Sequence, residues 1–335
     1  MSVVYVANAD SRDISVLRLD AATGTLVPLQ RLPVGGIVMP LAVSPDRRRL
    51  YASIRSEPVE VVTLAIDAAD GRLAPLARNP LPASMCWIGT DQAGRFLLSA
   101  SYGGSAIAVS PVDAEGIVGA AQQTLATPPN AHAVRTDPNN RFLFASCLGG
   151  GVLLGFHFDA ASGRFDPSPA STWQARPGAG PRHFVFDSRA AFVYLVNELD
   201  ATVVVLAFDA ERGALSEVQT LDTLPPGFSG EPWAADIHLT PDGRRLYVSE
   251  RRTSTLAAFD VDRSSGRLSL IGRVPTETQP RGFAIDPTGR WLLAVGQTSH
   301  RLSLHAIDAA SGRLQKSGEC EVGQNPNWVE IVDLD

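Results

Sequence analysis

The chain has 335 residues, 44% of them hydrophobic, a formal net charge of −6, and one lysine, Lys316, against 28 arginines. The negative balance argues against nucleic acid or an acidic membrane surface as partner, and a single lysine leaves little scope for Schiff-base chemistry. Three scattered cysteines, Cys86, Cys147 and Cys320, suit a reducing compartment better than a disulfide scaffold. No charged-then-apolar leader and no membrane-length apolar run is visible, so the expected location is the cytoplasm.

Read in chain order, the sequence repeats. An Asp, three residues, a Gly, one residue and then Leu or Phe occur at Asp20-Gly24-Leu26, Asp67-Gly71-Leu73, Asp159-Gly163-Phe165, Asp209-Gly213-Leu215, Asp262-Gly266-Leu268 and Asp308-Gly312-Leu314. A version one residue shorter stands at Asp113-Gly116-Val118. Alternating apolar residues precede each copy, as in "DISVLRLD" and "ATVVVLAFD", which is the pattern of a β-hairpin. Between the copies lies a second signature, a Pro/Asp turn followed by an aromatic or leucine strand: "VSPDRRRLYAS", "TDPNNRFLFAS", "LTPDGRRLYVS" and "IDPTGRWLLAV", with weaker copies in "GTDQAGRFLLSA" and "VFDSRAAFVYLV". Helical periodicity is absent. Seven units of about four strands each predict an all-β fold, a seven-bladed β-propeller forming one domain over residues 1–335. The chain opens in the second half of a repeat and closes in the first half of one, so joining the ends completes the seventh blade and leaves no free sheet edge. "TLPPGFSGEPWAAD" is a long insertion before the first strand of the sixth repeat.

A repeat can be aligned with itself. Six residues before the proline position of each Pro/Asp turn stand Met39, Cys86, His132, Arg182, Ala235 and Arg281, with Asn327 in the closing blade. The innermost strand of a propeller blade faces the central channel, so this position forms a ring at one channel mouth. The ring places His132, Arg182 and Arg281 around one opening, where the two arginines can converge on one ligand. A second recurring position, at the exit of the next strand, reads Ala9, Arg55, Tyr102, Leu148, Glu198, Arg251 and Gln297. Glu198 therefore lies near the same mouth or on its rim.

Together these residues suit ester or lactone chemistry without a metal or other cofactor. Guanidinium forks bind carboxylate, phosphate or a developing oxyanion. Imidazole and carboxylate can move protons. His132, Glu198, Arg182 and Arg281 are the candidate catalytic set. Arg251 and Gln297 are candidates for substrate binding, as are His183, Asp236 and His238, which alternate around the same strand start and are read first as turn or strand-to-strand hydrogen-bonding residues. Cys86 is read as a small buried residue, and Trp87, Trp233 and Trp328 as packing between blades. No nucleophile elbow, phosphate loop or zinc-ligand spacing is present.

The stretches "GPRHFVF", "VNELDATV", "PWAADIHLTPDGRRLYVSER", "TETQPRGFAID", "GQTSHRLS" and "VGQNPNWV" resemble those of the bacterial seven-bladed propeller 6-phosphogluconolactonases, over essentially the whole chain. The wider family includes fungal muconate-lactonizing enzymes. The resemblance implies metal-independent hydrolysis of 6-phospho-D-glucono-1,5-lactone to 6-phosphogluconate, the second step of the oxidative pentose phosphate pathway. It also implies a His, an Arg, a Glu and a second Arg at the site, matching His132 in "NAHAV", Arg182 in "GPRH", Glu198 in "VNEL" and Arg281 in "QPRG". The "PPGFSGEP" loop departs from the enterobacterial pattern and leaves the exact lactone open.

Two other readings stay in play. A lactonase or cycloisomerase for another lactone would use the arginines on a carboxylate. A propeller interaction module would have no need of a polar ring. The expected partner is a small phosphorylated sugar lactone, with no nucleic acid or membrane, on a monomer or weak homo-oligomer.

Overall fold

The computed structural model describes residues 1–334 and consists of seven antiparallel sheets. Their inner strands are Pro326–Asp333, Val38–Val43, Trp87–Thr90, Ala131–Thr136, Pro181–Phe186, Ala234–Leu239 and Pro280–Ile285, and each packs on the next around a closed ring. Blade 1 is the one built from both termini. The division is three strands to one: the C-terminal strand supplies only the inner edge and the N-terminal segment supplies the remaining three strands. Val4 pairs with Ile331 and Val6 with Val329. Sealing the ring in this way removes the open edge that an unclosed array would expose. One short 3-10 turn, Pro169–Ser171, interrupts the outer part of blade 4, whose edge is shared by Arg164–Pro167 and Trp173–Gln174.

Both sequence signatures map to turns. The Asp–Gly copies close the outermost hairpins, with Gly266 accepting a left-handed φ of +72° and donating its N–H to Asp262 at 2.7 Å. A Cβ on Gly266 would stand 2.4 Å from Cδ1 of Phe192 in the preceding blade, so this turn doubles as a contact between blades. The Pro/Asp turns join inner to second strands at the same end, where the Val261 N–H donates to the Arg244 carbonyl at 2.9 Å. The two weaker copies behave like the strong ones. Asp91 accepts the Arg95 and Phe96 N–H groups at 2.7 and 2.9 Å, and Asp187 accepts those of Ala191 and Phe192 at 2.6 and 2.7 Å. A buried carboxylate that satisfies two backbone donors serves the turn equally well when proline is missing.

Candidate active site

In six blades the ring position coincides with a break in strand register. His132, Arg281 and Asn327 are single unpaired residues, while Met39-Pro40, Arg182-His183 and Ala235-Asp236 are unpaired pairs. Bulges of this kind re-aim side chains and are common beside functional sites. Serines of the second strands hold them in place. Ser146 Oγ accepts the Ala133 N–H at 3.1 Å and donates to the Arg182 carbonyl, and Ser249 Oγ accepts the Asp236 N–H at 3.0 Å.

At the mouth, Glu198 is the hub. Its Oε2 accepts Arg182 Nε at 2.7 Å and lies 2.8 Å from Arg251 Nη2; its Oε1 accepts Trp233 Nε1 at 3.2 Å. Arg182 also donates to the Ala235 carbonyl, and Arg251 to the carbonyls of Trp233 and Ala234 at 3.1 and 3.0 Å. Burial alone would push the Glu198 carboxyl up. The Arg182, Arg251 and Arg281 guanidiniums outweigh it and hold the group below the usual carboxylate range, so Glu198 is ionised.

Arg182 is fully buried and spent on these partners. Arg281 differs: it is partly exposed and, among the described residues, makes no hydrogen bond or ion pair. Burial, then the neighbouring Arg182, lower its affinity for its proton, with Cys86, Glu198 and Arg55 also in range. A guanidinium starts so far above neutrality that it stays charged. Arg55, whose Nε donates to Ser84 Oγ at 3.1 Å, lies in range of Arg281 and Cys86 and adds a fourth guanidinium to the neighbourhood of the three that act on Glu198.

His132 is 3% exposed, its ring edge-on to Tyr102 and to His183 at 5.8 and 5.1 Å between centroids. Among the described residues neither ring nitrogen has a partner, and Nδ1 is sealed from solvent. Burial, followed by the charges of Arg182, His183 and Arg281, depresses its pKa well below the ordinary histidine value. It is a neutral, uncommitted base.

The remaining candidates divide. Arg251 belongs to the Glu198 hub. Gln297 lies on the rim, its amide donating to Asn325 Oδ1 at 2.9 Å, with no contact to the hub among the described residues. His183, Asp236 and His238, expected at the same mouth, line instead a chamber of ≈ 770 Å³ that reaches the Pro/Asp-turn residues at the other end of the channel. In the two-residue bulges Arg182 faces the mouth and His183 the chamber. Asp236 takes His183 Nδ1 at 2.8 Å and His238 Nε2 at 3.1 Å, and its Oδ2 accepts the Phe283 N–H at 3.3 Å. Burial and Arg182 push His183 down to about 3 despite Asp236, so His183 donates Nδ1–H to an ionised carboxylate.

Trp233, read from sequence as packing, is part of the hub: besides its bond to Glu198, its ring lies 3.9 Å below the Arg251 guanidinium carbon. The insertion Thr223–Asp236 delivers it, pinned where Glu250 Oε1 accepts the Trp233 N–H at 2.7 Å. Arg55 and Tyr102 were given no role, although both occupy the recurring position that disclosed Glu198, while Cys86 is 3% exposed, as its reading as a small buried residue has it. No cluster of three His, Cys, Asp or Glu side chains suited to a metal exists among the described residues.

Comparison with known proteins agrees with this geometry. The family model described as "Lactonase, 7-bladed beta-propeller" matches residues 3–331. The 6-phosphogluconolactonase of Pectobacterium carotovorum subsp. carotovorum is 42% identical over 333 residues, 99% of each chain, and that of Serratia proteamaculans is 41% identical over 98% of each. Among solved structures, the periplasmic gluconolactonase of Pseudomonas aeruginosa superposes with a TM-score of 0.91 at 28% identity over the whole of both chains. A putative 6-phosphogluconolactonase of Bacteroides fragilis gives 0.90 at 26%, covering 99% of this chain and 98% of the other. The chain belongs to the lactonase family of seven-bladed β-propellers.

Proposed function

We propose that the chain hydrolyses 6-phospho-D-glucono-1,5-lactone to 6-phospho-D-gluconate at the Glu198 mouth, as a single-domain cytoplasmic enzyme of the oxidative pentose phosphate pathway that needs no metal. The observation that carries the reading is the charge surplus: three guanidiniums act on one ionised carboxylate, Arg55 stands in range of Arg281, and among the described residues Arg281 makes no hydrogen bond or ion pair. Such a mouth calls for an anionic ligand, and a phosphorylated lactone is one. Relatives at 42% and 41% identity carry the matching name.

In the proposed mechanism, Arg55 holds the phosphate and Arg281 faces the lactone carbonyl oxygen. Neutral His132 takes a proton from water as the water oxygen bonds to the carbonyl carbon. The carbonyl electrons move to its oxygen, which Arg281 stabilises; a preorganised donor of this kind contributes roughly 3–4 kcal/mol. The C–O bond to the ring oxygen then breaks, and imidazolium returns its proton to that oxygen, a contribution of about 10²–10⁴-fold. An incoming phosphate offsets the part of the His132 shift that comes from Arg182 and Arg281, while burial, its largest cause, remains. Glu198 fixes Arg182 and Arg251 rather than moving protons, because both hydrogen-bond its carboxylate.

Product inhibition tests the phosphate preference. 6-Phospho-D-gluconate should compete with substrate while unphosphorylated D-gluconate does not. Equal inhibition by both would favour a site for carboxylated lactones in general.

A further inference from the structure

The chamber at the Pro/Asp-turn end is unused by the proposed chemistry, and its walls are built for binding. Arg135 projects from the inner strand of blade 4 and, among the described residues, makes no hydrogen bond or ion pair; its Nε is buried without a partner. Its guanidinium carbon lies 5.0 Å from the ring centre of Trp87. Trp87 is 3% exposed and His183 5% exposed; Trp87 Nε1 and His183 Nε2 are likewise buried without partners. Trp328 provides a second indole, its Nε1 donating to Glu330 Oε1 at 2.8 Å. Asp236, His238 and Glu330 complete the polar lining. Unsatisfied buried polar groups, here the donors of Arg135 and Trp87 and the His183 Nε2 acceptor, are costly and call for a partner.

We infer that this chamber is a second ligand site, distinct from the Glu198 mouth, for a small sugar acid: a pyranose ring bearing one carboxylate. The guanidinium of Arg135 forks onto the carboxylate. The Trp328 indole takes an apolar face of the sugar ring, while the buried Trp87 backs the Arg135 guanidinium. Asp236, His238 and Glu330 offer acceptors and donors for the hydroxyls. A phosphate dianion fits less well, because Asp236 and Glu330 sit close enough to act on the Arg135 charge and would repel it. A volume of ≈ 770 Å³ lies within the range of small-molecule sites. This binding does not depend on the lactone reaction.

The test is titration of the full chain with sodium D-glucuronate, followed by tryptophan fluorescence and calorimetry, with D-glucose and D-glucose 6-phosphate as neutral and dianionic controls. Glucuronate should bind the wild type more tightly than either control. Affinity should fall at least about tenfold in Arg135→Gln, the loss of a charge-assisted pair, and stay unchanged in Arg281→Gln. Arg135→Gln should keep its lactone turnover. If Arg135→Gln fails to fold, Trp87→Phe is titrated instead and should weaken binding in the same way. No binding to the wild type, affinity indifferent to Arg135 and Trp87, or binding lost in Arg281→Gln alone would each overturn the assignment. The last would place the ligand at the Glu198 mouth.

Discussion

Arg182 and Glu198, sixteen residues apart in one blade, meet at 2.7 Å with the arginine fully buried, so the carboxylate is as much a structural counter-charge as a part of the site. Glu198→Gln would leave Arg182 and Arg251 buried without that charge. Breaking a buried pair in this way costs about 3–5 kcal/mol. The variant should therefore melt several degrees lower as well as lose at least about 100-fold in kcat/KM. Thermal unfolding alongside steady-state kinetics checks this. Unchanged stability would show that the cluster does not need the charge.

Arg281 should behave in the opposite way. Among the described residues it makes no hydrogen bond or ion pair that could be lost, so Arg281→Gln should keep or slightly raise the melting temperature while kcat/KM falls roughly 10²–10³-fold. Arg182→Gln should lower both. Equal behaviour of the two variants would contradict the division between a buried strut and an open ligand-binding arginine.

His132→Asn should lower kcat by about 10²–10⁴-fold. Its stability effect depends on pH. The folded imidazole has a depressed pKa and the unfolded one titrates near its ordinary value. The contribution is intact above about 6.5 and is lost as pH falls, because only the unfolded state takes the proton there. The wild type should lose more stability than His132→Asn between pH 7 and pH 5, measured by thermal melts. Parallel curves would contradict a neutral buried His132.

Glu330 runs the other way. Burial raises it to about 7, with the Trp328 N–H, His238 and Arg135 opposing. The unfolded carboxyl ionises near 4.5, so its contribution is present below that pH and is lost as pH rises through 7. Glu330→Gln should gain stability relative to the wild type at pH 8 but not at pH 4.5. A difference constant across that range would refute the shift.

At the turns, Gly266→Ala forces a Cβ into both a φ of +72° and the Phe192 ring, and should destabilise by more than about 1 kcal/mol. Gly272→Ala, with nothing within 4 Å of its Cβ, is the control and should be near neutral. Equal melting temperatures would show that the hairpin does not lock onto the neighbouring blade.

The architecture was legible because each blade repeats the same two turns, and self-alignment then brought His132, Arg182 and Arg281 to one ring. Depth was not legible. Strand positions rise about 3.3 Å per residue, and the two-residue bulges at Arg182-His183 and Ala235-Asp236 send neighbours to different chambers. Sequence alternation alone placed His183, Asp236 and His238 with the arginines. Nor could spacing tell which arginine is paired, since Arg182 and Arg281 occupy equivalent positions and differ in the width of their bulge and in having Glu198 and the Ala235 carbonyl within reach. Trp233 was hidden for another reason: it sits at the end of an insertion with no counterpart in the other blades.

The most direct measurement is lactone hydrolysis by the purified protein, corrected for spontaneous opening, with freshly made 6-phosphogluconolactone, gluconolactone and a muconolactone offered side by side. Selective acceleration of the phosphorylated lactone, abolished in Arg281→Gln, is the expected result. Acceleration of an unphosphorylated lactone in its place, or of none of the three, would contradict the account.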